Sequence, residues 1–507
     1  MQLQENNEME TDLLVIGGGI NGTGIALDAS LRGLSVVLCE AKDLASATSS
    51  ASSKLVHGGL RYLEQYEFKL VKEALKEREI LLKKAPHIIH PLRFILPHAK
   101  HLRPVWMIRI GMFLYDFLAG KMSLKKSQKI SLVGSKEGQQ LVDEFKVGFA
   151  YSDCRIDDSR MVVFNTIEAK DNGAKILIPY RCVEAKRQGK KWQVKLLDNS
   201  NKEVLVNAKA IVNAGGPWVA NIIDDVLETN SKSGVRLIKG SHIVVPKLYN
   251  GDHAYILQNK DGRIVFALPY GFVSEHENEF TLIGTTDLNY EGDPRDIEIS
   301  EEETDYLCKL INGYFKKHIS SQDVIWSYAG VRPLYDDHSV DPSKITREYH
   351  LELEDQNGKL PVLSVFGGKV TTYRTLSQHV VDKLKPYFPN MGSCVTDRVP
   401  TAGGNAHSFS EIMQQLKKTY PWLEAKHAYR FAASYGMKSF DVLTDAKSYD
   451  DLGRCFGYNF YQKELEYLVK EEWVTDVDAL IWRRSKLGLW LTKEQVAALE
   501  AWFMRDL

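Results

Sequence analysis

Residues 12–24 read DLLVIGGGINGTG, and the order of residue types in this stretch decides the fold. Leu13, Leu14, Val15 and Ile16 make an apolar run of the length of a buried parallel strand, and the glycines turn directly out of it into a helical segment of small residues. Strand, G-x-G-x-x-G and helix together form a cradle for a dinucleotide pyrophosphate. Gly17 permits the tight turn, Gly19 lets the backbone approach the phosphates, and Gly22 lets the helix lie close on the sheet. Ile20 and Asn21 open the helix, whose unpaired N–H groups face the phosphates. Gly33 is the expected stop. A second apolar strand over residues 35–39 ends on Glu40, an acidic side chain placed to accept from both ribose hydroxyls of an adenosine and to repel a 2′-phosphate, which disfavours NADP. The fingerprint therefore predicts an adenine dinucleotide, but it does not separate FAD from NAD.

Composition sets the outer limits. A chain of 507 residues exceeds what one core usually serves, so two or three domains are expected. Hydrophobic content of 44% and charged content of 26% describe a folded globular protein, and a formal net charge of -1 gives no reason to expect nucleic acid. The 6 cysteines are scattered without a C-x-x-C pair, which fits reduced thiols in a cytosolic compartment and no zinc or iron-sulfur framework. Residues 1–10 are polar and carry no signal-peptide core. Residues 104–118 are the nearest approach to a membrane span, but Arg109 and Asp116 interrupt them; the stretch is suited to lying on a bilayer and not to crossing it. His87, His90, His98 and His101 form two H-x-x-H pairs around a proline-bounded strand pattern at 91–97, without a carboxylate or thiol to complete a site, so no metal is expected.

Along the chain, the hydroxyl-rich residues 47–54 (ATSSASSK) lead into LVHGGLRYL at 55–63, a candidate cofactor-lining loop containing Thr48, Ser49, Ser53, Lys54, His57, Gly58 and Gly59. Residues 68–84 read as an amphipathic surface helix, with Phe68, Val71, Leu75 and Leu82 on one face. Asp157 caps a helix that should run to Lys170 and stop at Gly173. Two further strands run into paired glycines: one reaches Ala214, Gly215, Gly216 and Trp218, the other Gly367, Gly368, Lys369, Val370 and Thr371. Closely spaced strands between 236 and 287, without intervening helices, predict an antiparallel sheet. Ser300 with Glu303, and Thr492 with Gln495, are capping boxes. From about Gly403 the pattern is helical, and Trp422, Trp473, Trp482, Trp490 and Trp502 read as the core of that module.

VIGGGINGTGIALDASLRGLSVVLCEAKDLASATSSASSKLVHGGLRYLE, VNAGGPWV, IKGSHIVVP, IGTTD, YAGVRPL and SVFGGKVTTYR, in this order, resemble the aerobic FAD-dependent glycerol-3-phosphate dehydrogenases of bacteria. The resemblance runs from Asp12 to Arg374, and the helical tail is similar to that family's C-terminal domain. It implies FAD, oxidation of sn-glycerol 3-phosphate to dihydroxyacetone phosphate by hydride transfer to flavin N5, electrons passed to a membrane quinone, and peripheral attachment to the inner face of the cytoplasmic membrane. A homodimer is a further expectation from the family. The fold class so read is α/β plus α: a discontinuous Rossmann-like FAD-binding domain (8–90, 145–235 and 322–385), an antiparallel-sheet substrate domain (91–144 and 236–321), and an all-helical C-terminal domain (390–507).

A phosphorylated triol needs fixed cations, and Arg61, Arg332, Arg347 and Lys369, with Tyr62 beside the first, occupy turns where side chains can point at a ligand. Loss of the hydroxyl proton needs a base within hydrogen-bond reach. His242 is the first candidate and His57 the second, with Arg332 also able to stabilise the developing alkoxide. The alternatives are a glycerol-3-phosphate oxidase that uses oxygen, another amino-acid-oxidase-like flavoenzyme, and a flavoprotein that only senses redox state.

Overall fold

The computed structural model describes residues 8–99, 103–227, 229, 233–284, 287–336 and 348–506. Two sheets dominate it. In the first, the strand order is His350–Glu354, Val362–Phe366, Glu203–Asn213, Glu8–Ile16, Val36–Cys39, Lys175–Leu177. Of the five pairings all but that of His350–Glu354 with Val362–Phe366 are parallel, and Val36–Cys39, Val362–Phe366 and the stretch from Leu13 to Ile16 are buried on both faces, which is why that stretch is continuously apolar instead of alternating. Helix Ile20–Leu31 lies on one face, its Ile25, Ala26 and Ala29 packing with Leu376, Val380 and Val381 of helix Tyr373–Lys383. The hairpin Tyr180–Gln188 and Lys191–Asp198 covers the other face through Trp192, Val194 and Leu196.

The second sheet runs Leu288–Asn289, Val235–Pro246, Glu277–Gly284, Ile264–Ser274, Ala254–Gln258, Ile89–Pro97, Val147–Ile156, Leu55–Val56, with Trp326–Tyr335 paired to Val235–Pro246. Its pairings are antiparallel except where Ala254–Gln258 meets Ile89–Pro97. Val147–Ile156 and Trp326–Tyr335 lie in stretches that the sequence groups with the nucleotide-binding segments, yet both pair in this sheet. The hydroxyl-rich loop straps the two layers together. Thr48 Oγ1 donates to Val331 O at 2.7 Å, and Tyr328 Oη donates to Ser52 O at 2.8 Å.

The expected caps are present: Asp157 accepts from Arg160 N, Ser300 and Glu303 close a capping box, and Thr492 and Gln495 bond reciprocally. Helix Phe68–Lys84 departs from the expectation of a surface helix. Glu77 and Arg78 are buried, Glu77 holding Arg374 at 2.6 Å and Arg78 holding Asp153 at 2.8 Å, because charges paired across the interface can be taken out of water while their polar atoms stay satisfied.

The tail forms its own core around Ile412, Leu416, Phe431, Tyr435 and Leu468, and besides helices it holds a short hairpin, Cys455–Gly457 with Phe460–Tyr461. Two of its tryptophans are not simply internal to it. Trp482 stacks on Trp326 of the second sheet at 4.3 Å, and Trp490 lies 5.6 Å from Phe280, since a large ring is well suited to filling a junction between elements. Buried ion pairs fasten the tail to the nucleotide-binding layer: Arg160 grips Glu472, and Asp43 receives Arg483 and Arg484.

Burial alone would raise the Asp43 carboxyl, but the Arg484 and Arg483 guanidiniums outweigh it and hold the group below the usual carboxylate value. Asp43→Asn leaves Arg484 buried without its carboxylate and should cost about 3 to 5 kcal/mol in denaturant unfolding. The parent's advantage should be full above the ordinary aspartate pKa of about 4 and be lost as pH falls through the lower folded-state value.

Candidate active site

The two sheets and the tail enclose a cavity of about 1090 Å³. At one end lie the glycine turns. Gly17 has φ +112°, and a Cβ there would sit 2.5 Å from Ala214 O; a Cβ on Gly22 would sit 1.9 Å from Gly17 O. Backbone thus fills the space that side chains would take, and the opening of helix Ile20–Leu31 lies against the cavity. Its capping residue Gly19 offers no side-chain acceptor, and Ser49 Oγ reaches across to accept from Ile20 N at 2.9 Å. Asn21 Nδ2 donates to Gly367 O at 3.0 Å and so joins the first and third glycine turns. Of the residues that the sequence reading assigns to the cofactor, Gly17, Gly19, Ile20, Asn21, Thr48, Ser49, Ser53, Gly59, Ala214, Gly215, Gly216, Trp218, Gly368, Lys369, Val370 and Thr371 line the cavity. Ser53 is engaged with His242 at its far end.

Glu40 also lines the cavity. Its two carboxylate oxygens accept from Gly18 N at 2.7 Å and Lys42 N at 2.8 Å, which fixes the carboxylate in place while each oxygen keeps a further lone pair. Burial, only partly offset by these backbone donors, raises its pKa.

At the other end, His242 is buried with its ring stacked on Tyr328 at 4.7 Å, and its Nε2 lies 3.0 Å from Ser53 Oγ. Nδ1 has no hydrogen-bond partner among the described residues. Burial first, then the charges of Lys54 and Arg332, push the imidazole down to about 3, so His242 is neutral at ordinary pH. This departs from the sequence reading, which values histidine for its unperturbed pKa: packing and like-signed neighbours shift the group far from that value. Arg332, one strand over, is held by Asp287 at 2.6 Å, and the Lys369 ammonium sits 4.2 Å over the Tyr62 ring. His57 lines the wall beside the third glycine turn, its N–H donating to Thr371 Oγ1 at 3.2 Å.

Several expected site residues lie elsewhere. Lys54 does not line this cavity: its ammonium is buried against Asp158, with both carboxylate oxygens at 2.8 Å, because an ammonium taken out of water needs a paired carboxylate. Gly58 packs behind the wall, its N–H donating to Tyr115 Oη at 2.9 Å, and Gly22 serves helix packing instead of lining. Arg347 lies outside the described residues, as does His101 of the second H-x-x-H pair; of Arg61 the backbone is described, in the 3₁₀ turn Leu60–Gln65. Sequence reasoning missed Tyr328, Asp287 and the tail residues Trp482 and Arg483, all of which line the cavity. Tyr328 and Asp287 belong to the YAGVRPL and IGTTD segments and were within reach; nothing in the tail sequence marks Trp482 or Arg483.

Residues 12–374 match the family described as FAD dependent oxidoreductase, and residues 394–504 match the C-terminal domain of alpha-glycerophosphate oxidase. The chain belongs to the FAD dependent oxidoreductases. It is 51% identical to a glycerol-3-phosphate dehydrogenase of Pseudomonas aeruginosa over 489 residues, covering 96% of this chain and 94% of that protein. It is 49% identical to the aerobic glycerol-3-phosphate dehydrogenase of Escherichia coli, covering 98% of each. Among solved structures, the glycerol-3-phosphate dehydrogenase of Bacillus halodurans complexed with FAD aligns with TM-score 0.76 and 26% identity, over 99% of this chain and 95% of that one. FAD is accordingly the cofactor, and the glycine cradle, the fixed Glu40 and the three strand-to-glycine turns of this oxidoreductase fit a long dinucleotide.

Gly22→Ala should lower FAD affinity by at least about tenfold, since its Cβ displaces the first turn and 1.4 kcal/mol already amounts to that factor. The flavin absorbance retained by the purified variant checks this.

Proposed function

We propose that this oxidoreductase converts sn-glycerol 3-phosphate to dihydroxyacetone phosphate and delivers the electrons to a quinone in the membrane. The observation that carries the reading is one cavity with a dinucleotide cradle at one end and, at the other, a neutral buried histidine in the field of Arg332, with Lys369 also in the lining. Bound FAD supplies the two-electron hydride acceptor.

The chain supplies the rest. Arg332, oriented by Asp287, and Lys369, held over Tyr62, give the substrate phosphate charge-assisted bonds, with Arg61 and Arg347 as further contributors. Neutral His242 accepts the hydroxyl proton at Nε2 through Ser53 Oγ, which already bonds it. A phosphate dianion seated on Arg332 offsets part of the positive field that depresses His242, so substrate raises the basicity of the group that must take its proton. His57 braces the third glycine turn through Thr371. An oxidase reading would keep this half of the chemistry and change only the acceptor.

The acceptor reading rests on helix Val105–Ala119. Trp106, Ile110, Phe113 and Phe117 are 61%, 51%, 67% and 70% exposed, while Met112 and Tyr115 on the other face are buried. Arg103, Lys121, Lys125, Lys126 and Lys129 are exposed around it, each cation near an anionic leaflet contributing about 1 kcal/mol. Among the described residues no helix is long and apolar enough to cross a membrane. An interfacial helix suits this pattern, placing the protein on the inner face of the cytoplasmic membrane. Tyr115 Oη bonds Asp153 and receives Gly58 N–H, so the same helix is tied to the turn behind the cavity.

Adding glycerol 3-phosphate without air should bleach the flavin, whereas glycerol and a phosphorylated polyol one carbon longer should act more slowly. Flavin that stays oxidised with all three overturns the reading. Arg332→Lys should slow that reduction by at least about tenfold, because a point charge cannot reproduce a planar fork. In the parent, kcat/KM should show no ionisation near 6.5 from His242, whose substrate-free value of about 3 leaves it unprotonated throughout the neutral range.

Binding to anionic liposomes should be salt-sensitive and disappear when Trp106, Phe113 and Phe117 are all changed to Ser. Retained binding by that variant with its flavin in place moves attachment to another surface.

A further inference from the structure

A second cavity, of about 270 Å³, lies where the tail meets the second sheet. Among the described residues lining it are the cations Lys54, Arg155, Lys426, Arg430 and Lys486 and the carboxylates Asp157 and Glu279. Lys54 is neutralised by Asp158, Arg430 by Glu464 at 2.6 Å, and Lys486 lies 3.5 Å from Asp157 while donating to Ser159 Oγ at 2.7 Å. Glu279 accepts from the Trp490 indole N–H. Arg155 is left over. It has no ion-pair partner among the described residues; it bonds the Tyr429 hydroxyl and lies over the Phe272 ring. Burial lowers its pKa, and the Tyr429 hydroxyl and the carboxylates of Glu275 and Asp252, neither of them within ion-pair distance, offset that only in part.

The polar atoms around it are short of acceptors. Tyr270 Oη, Arg430 Nε and both ring nitrogens of His87 are buried without hydrogen-bond partners among the described residues, and His87 is wholly inaccessible to solvent. Groups in this condition in a native fold call for an explanation. An occupant that brings negative charge and several acceptor oxygens satisfies the tyrosine hydroxyl and the Arg155 guanidinium together. Leu268, Phe272, Leu282 and Leu489 add apolar lining.

We propose that this cavity is a binding site for a small phosphomonoester dianion, its phosphate held by the Arg155 fork and Tyr270 and its carbon portion lying on Phe272 and Leu282. The site is separate from the flavin cavity, and Lys54, which lines it, follows Ser53, which lines the other.

The test uses the flavin-loaded enzyme. Crystals soaked in selenate, an anomalous scatterer of phosphate shape, should show a peak within hydrogen-bond reach of Arg155 and Tyr270, and phenyl phosphate should displace it. In titration calorimetry phenyl phosphate should bind more tightly than inorganic phosphate, and Arg155→Gln should weaken it by at least about tenfold, as loss of a charge-assisted fork requires. An empty cavity after soaking, or a peak unchanged in Arg155→Gln, overturns the site; phosphate binding as tightly as phenyl phosphate overturns the phosphomonoester assignment. Should Arg155→Gln fail to fold, Tyr270→Phe carries the test, because it removes only a hydroxyl: its selenate occupancy must fall, and unchanged occupancy overturns the proposal.

Discussion

Backbone-to-backbone closeness at the first glycine turn is the constraint on which the rest of the structure depends. Gly17 lies against Ala214 O and Gly22 against Gly17 O, so the first helix presses onto the parallel sheet with no side chain between. That closeness brings Asn21 within reach of Gly367 O and gathers three distant segments around one cavity. The cost of leaving a helix start without its own side-chain cap is met by Ser49 Oγ from the hydroxyl-rich loop. The same loop then reaches Val331 and is held by Tyr328, so the pyrophosphate cradle and the second sheet are positioned by one short stretch of chain.

The far end of the cavity is governed by electrostatics. His242 sits among Lys54 and Arg332, stacked on Tyr328 and closed off from water, and is held neutral by its surroundings. A neutral imidazole beside fixed cations has little proton affinity until negative charge arrives. Under the proposed reaction the substrate's phosphate is that charge, which couples binding of the correct ligand to activation of the base. An uncharged polyol would meet the same geometry without the field.

The tail takes a larger part than a helical appendage would. Its ion pairs Arg160 with Glu472 and Arg484 with Asp43 are buried at the junction with the nucleotide-binding layer, where loss of either partner would strand a charge. Trp482 closes the flavin cavity against Trp326, and the neighbouring residues of the tail complete the second, cationic cavity. The tail therefore shapes both cavities, although its own sequence carries no chemical motif.

What the sequence by itself determined is the part governed by local rules. Apolar runs, glycine spacing, capping boxes and the acidic residue at Glu40 specify strand, turn and helix within a few residues, so the cradle and its glycines were legible from them, and the FAD-dependent family from the resemblance that the ordered motifs carry. His242 and Arg332 were legible too, because they stand in short strand motifs beside glycine turns. Tertiary structure alone decided the rest. Lys54 reads as part of the cofactor loop yet turns away to Asp158, since a buried ammonium goes where a carboxylate is, and Asp158 is more than a hundred residues distant. Glu77 and Arg78 read as a solvated helix face yet are buried, because Arg374 and Asp153 come from remote segments to pair with them. The pKa of His242 and the cation left over at Arg155 are likewise sums over neighbours from several strands, and such long-range pairings leave no trace in the periodicity of any one segment.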